Sequence, residues 1–67
     1  MQVSKRLIEE ARKIAEQMIQ TGETVKPISA GFFVVSANET LDGFSPWHEF
    51  SVGSRIFHIA WESQGLD

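Results

Sequence analysis

A chain of 67 residues with no cysteine and a net charge of −3 has room for one domain and one small core, held without disulfides or thiolate metal sites. Cysteine nucleophiles are excluded, and oligomerisation becomes the natural remedy for a thin stability margin. Five of the six basic residues (Lys5, Arg6, Arg12, Lys13, Lys26) precede position 27, and from there on Arg55 alone stands against Glu39, Asp42, Glu49, Glu62 and Asp67. An acidic second half argues against a surface that tracks phosphates and favours a basic protein partner over nucleic acid.

The first element is a helix over about 4–20. Val3, Leu7, Ile8, Ala11, Ile14, Ala15, Met18 and Ile19 recur at spacings of three and four, which places them on one stripe. Ser4 suits the N-cap, with Val3 and Ile8 as a hydrophobic staple across it. Gly22 suits the residue just past the end, and Pro27 prevents a restart. Mixed charges between the stripe residues, with Glu9 and Lys13 at the favourable i,i+4 spacing, read as a solvated outer face. The same charges interrupt any export signal, and no window approaches the roughly 18 apolar residues of a membrane span. Together with the missing cysteines, this leads to the expectation of a cytoplasmic protein.

Residues 28–37 (ISAGFFVVSA) read as one strand. Phe32, Phe33, Val34 and Val35 are consecutive β-formers, so both faces of that strand are apolar. Gly31 marks a bulge or a close approach within it. A loop follows, with Asp42-Gly43 as its turn signal.

Residues 46–52 and 55–62 read as a β-hairpin closed by Gly53-Ser54. A two-residue loop beginning with Gly fits a type II′ turn, because Gly takes the positive φ required at its first position. Counting outward sets Val52 opposite Arg55, Ser51 opposite Ile56, Phe50 opposite Phe57 and Glu49 opposite His58. One face then carries Phe50, Val52, Phe57, Ile59 and Trp61. Strict alternation gives the other face Trp47, Glu49, Ile56, His58 and Ala60. The expected fold is a single α+β domain over 1–67, an N-terminal amphipathic helix packed on a three-stranded antiparallel meander. Leu7, Ala11, Ile14 and Met18 would lie on Phe50, Phe57, Ile59 and Trp61.

Few residues offer chemistry. Glu49 beside His58 resembles the way a carboxylate orients an imidazole, although an ordinary cross-strand pair explains it as well. His48 falls on the opposite face from His58, and no recognised ligand spacing links them to Asp42 or Glu49. There is no nucleophile with a base, no oxyanion motif and no Gly-rich loop, so no catalytic, cofactor or metal residue is assigned.

One helix covers one sheet face. The expected function is therefore a non-enzymatic protein-interaction module, whether homodimer, small subunit, regulator or inhibitor, binding through the open face. Trp47, Ile56, Phe33, Val35, Glu49 and His58 are the candidate contact residues, with Trp47 as the anchor. No cofactor, small-molecule substrate or membrane is implied. The alternatives are a metal-dependent or acid–base catalyst using His48, Glu49 and His58, and a single-stranded nucleic-acid binder whose sheet aromatics stack on bases. The acidic charge counts against the second.

Overall fold

The computed structural model describes residues 4–29, 31–38 and 43–62. The helix α1 spans Lys5–Thr21, and four strands follow: β1 Val25–Ser29, β2 Phe32–Ser36, β3 Phe44–Val52 and β4 Arg55–Glu62. At the start of α1 the Ser4 side chain accepts a hydrogen bond from the Leu7 amide at 3.1 Å, satisfying one of the donors a helix start leaves open. At its end the Gly22 amide donates to the Met18 carbonyl at 2.8 Å. Val3, the expected staple partner, lies outside the described residues, as do Asp42 of the turn signal and the tail 63–67.

The fold is α+β with an antiparallel sheet, but the sheet has four strands in the order β1-β2-β4-β3, where a three-stranded meander was expected. Two things account for the difference. The single strand expected over 28–37 is broken by a hairpin, in which Ser29 pairs with Phe32 and the chain reverses at Gly31. Gly31 has φ +81°, a left-handed conformation that closes a tight turn and cannot continue a strand. The second is connectivity. β2 and β3 both run antiparallel to β4 and flank it, so the link between them returns the chain to the far end of β4.

Hydrogen bonds fix which backbone groups point where. The Ala37 amide donates to the Ile56 carbonyl at 3.0 Å and the Glu62 amide to the Gly31 carbonyl at 3.1 Å. By the alternation of an antiparallel ladder, His58 and Ala60 then bond toward β2, while Arg55, Phe57 and Ile59 bond toward β3. Every position of β4 is thus engaged on one side or the other. Glu49 and Ser51 point their backbone groups to the free edge of β3, and Arg12 of the helix donates to the Ser51 carbonyl there at 2.9 Å. On the other edge, the Ser36 amide bonds the Thr24 carbonyl at 2.9 Å, so Pro27 faces outward where its missing N–H costs nothing.

The turn at Gly53-Ser54 has the register obtained by counting, Val52 with Arg55 through Glu49 with His58. Gly53 has φ +61° and no described non-glycine residue has positive φ, which selects type II′ over type I′.

The core lies between α1 and one face of the sheet. Ala11, Ala15 and Met18 meet Val34, Phe50, Phe57 and Ile59, with Leu7, Ile8, Ile14, Ile28, Phe32, Trp47 and Val52 packed around them. The two alanines are one turn apart on the helix, and their small side chains leave room for the aromatic layer beneath. In that layer the Phe50 and Phe57 rings stack with centroids 5.9 Å apart. Trp61, expected here, is half-buried and is not part of this cluster.

Phe57 is 0% exposed at the middle of this layer. Phe57→Ala should cost about 3–5 kcal/mol, a large share of the stability of any small domain. Urea denaturation checks this, and an unchanged midpoint would contradict the packing described.

Candidate functional site

The face of the sheet turned away from α1 is set by register. Val25, Pro27, Phe33, Val35, Phe44, Pro46, Glu49, Ser51, Ile56, His58, Ala60 and Glu62 alternate with core residues on their strands and share it. It divides into a closed part and an open part.

The closed part is aromatic. Phe33 on β2 and Phe44 on β3 meet edge-to-face with centroids 4.9 Å apart, reaching across β4 from either side. Ala60 lies between their strands, and its methyl leaves the space the rings need. Ala60 is buried, and Val35 is only 5% exposed. The open part lies toward the β3–β4 turn. Ser51 pairs with Ile56 and Glu49 with His58, so the four side chains form one contiguous block. Ile56 is 46% exposed, the most exposed large apolar side chain among the described residues. Glu49 and Ser51 are exposed, and His58 is half-buried.

Of the residues expected at the site, Ile56, Glu49 and His58 come together. Phe33 shares their face but is engaged by Phe44, and Val35 is buried. Trp47 does not share it. A β-bulge between Pro46 and His48 leaves Trp47 as the extra residue, with Pro46 facing Ala60 and His48 facing Ile59. Trp47 therefore turns to the helix side, where its ring stacks on Phe32 at 5.1 Å and packs against the core. Strict alternation through the strand gave it the wrong face. Phe44 was missed because Asp42-Gly43 marked a loop up to residue 45. Its signal was the period-two continuation from Pro46 back to a β-former immediately after a glycine.

His48, Glu49 and His58 do not converge, since His48 lies on the helix side with Ile59. Among the described residues, no group of three His, Asp or Glu side chains is placed to hold a metal ion, and no helix is long and apolar enough to cross a membrane. No protein-family model matches the chain, and no curated protein or solved structure matches it either.

The two faces give a paired expectation. Trp47→Ala should destabilise the fold by about 2 kcal/mol, from lost burial and the lost ring contact. Ile56→Ala should change stability by less than about 0.5 kcal/mol, as exposed substitutions do. Thermal or urea melts of both variants check it, and equal losses would contradict the assignment of faces.

Proposed function

We propose that this chain is a non-enzymatic protein-interaction module that binds through the sheet face opposite its helix. The observation that carries the reading is the block of exposed Ile56, Glu49 and Ser51 beside half-buried His58, an apolar side chain framed by polar ones on a face that α1 does not cover. An apolar centre with a polar rim is how contact surfaces are built, and rigid sheet positions hold the two in fixed relation. The Phe33–Phe44 pair stiffens the same face at its other end.

The partner is a second protein chain, either a copy of this one or a different protein that this one regulates or joins as a small subunit. A cytoplasmic setting fits the cysteine-free composition. The acid–base alternative is weakened by the separation of His48 from Glu49 and His58 across the sheet. The nucleic-acid alternative is weakened by the acidic side chains on the face, Glu49 and Glu62.

Site-specific photo-crosslinking in the cells that make the protein tests this reading. A benzophenone amino acid in place of Ile56 should give a discrete protein adduct, and the same group in place of Lys13, on the exposed side of α1, should not. Absence of an adduct at position 56, or the same adducts from both positions, would contradict the proposal.

A further inference from the structure

We infer that the occupant of the block at Ile56 is a different protein whose contacting segment is cationic, presenting Lys or Arg beside an apolar side chain, and not a second copy of this chain. The inference rests on the reading of this face as the contact site.

The argument is the placement of charge. Among Asp, Glu, Lys and Arg, the described side chains that register assigns to this face are Glu49 and Glu62, both acidic. The basic residues lie elsewhere. Arg55 pairs with Val52 and Lys26 with Val34, which puts both on the helix side, and Lys26 is 3.6 Å from Glu23. Arg12 reaches the β3 edge from α1 and is already bonded to the Ser51 carbonyl. The sequence reinforces this, since Arg55 is the sole basic residue after position 26.

A two-fold contact between copies through this block would put two Glu49 carboxylates into one small interface. No described Lys or Arg lies on the face to answer them, and like charges set together across an interface are strongly disfavoured. Phosphate backbones and anionic lipid surfaces meet the same repulsion. A cationic protein segment meets attraction, and it can seat an apolar side chain on Ile56 while its charge pairs with Glu49. The exposed carboxylate would act mainly on partner choice and on the rate of encounter, with Ile56 as the apolar anchor.

Panning a phage-displayed random peptide library against the immobilised full chain tests this. The variants Ile56→Asp and Glu49→Lys serve as controls, both at exposed positions and both checked for an unchanged melting transition. Sedimentation over a concentration series accompanies the selection. Selected peptides should carry Lys or Arg next to apolar residues, lose binding to Ile56→Asp, and bind Glu49→Lys at least tenfold more weakly. Neutral or acidic peptides that still depend on Ile56 would overturn the cationic partner while leaving the contact face standing. So would a concentration-dependent dimer that Ile56→Asp dissolves, because the second copy would then be the occupant. No peptides, or peptides indifferent to Ile56→Asp, would overturn both the partner and the face.

Discussion

Strand β4 is the member on which the other elements depend. It pairs with β2 on one side and β3 on the other, and its alternate residues Phe57 and Ile59 are wholly enclosed beneath α1. Remove the β2–β4 pairing and two separate hairpins, β1–β2 and β3–β4, remain, each too small to be stable in water. The helix adds the burial that makes the sheet worth forming: Ala11, Ala15 and Met18 close over the same strand, and α1 touches all four strands. In a chain without disulfides, this one layer of apolar contact carries the fold.

The same strand explains why the outer face differs along its length. Ala60 on β4 is small, so Phe33 and Phe44 can join over it and close that end from within the chain. Two positions before and four positions before, β4 offers His58 and Ile56, whose neighbours on β3 are Glu49 and Ser51. Neither of these is large and apolar, so nothing on the adjoining strand shields Ile56. The sheet edges, in contrast, are defended. Pro27 removes a donor from β1, while Pro46, the bulge at Trp47 and the Arg12 bond interrupt β3. Edges protected in this way resist strand-to-strand association.

Local chemistry made part of this legible in the sequence. The helix was readable because its stripe, its Ser4 cap and its Gly22 terminus agree, and the β3–β4 register because Gly53 permits few turns and pairing then follows by counting. The chain reversal at Gly31 was not readable in the same way. A run of apolar residues on both sides of a glycine looks like one buried strand, and nothing local says that Val25–Ser29 will fold back on Phe32–Ser36. The strand order was hidden as well, since it depends on which hairpin edge meets which, a long-range matter. Trp47 shows the limit most plainly, because one inserted residue between Pro46 and His48 exchanges the two faces from that point toward the start of the strand.

Amide hydrogen exchange resolved residue by residue tests the central position of β4 most directly. With β2 and β3 on either side, the amides of Phe57 and Ile59 are held by β3, and those of His58 and Ala60 by β2. All four should therefore exchange slowly, while the edge amides of Glu49 and Ser51 exchange fast. If His58 and Ala60 exchanged as fast as Glu49 and Ser51, β4 would be an edge strand. The order β1-β2-β4-β3, and the faces derived from it, would then be wrong.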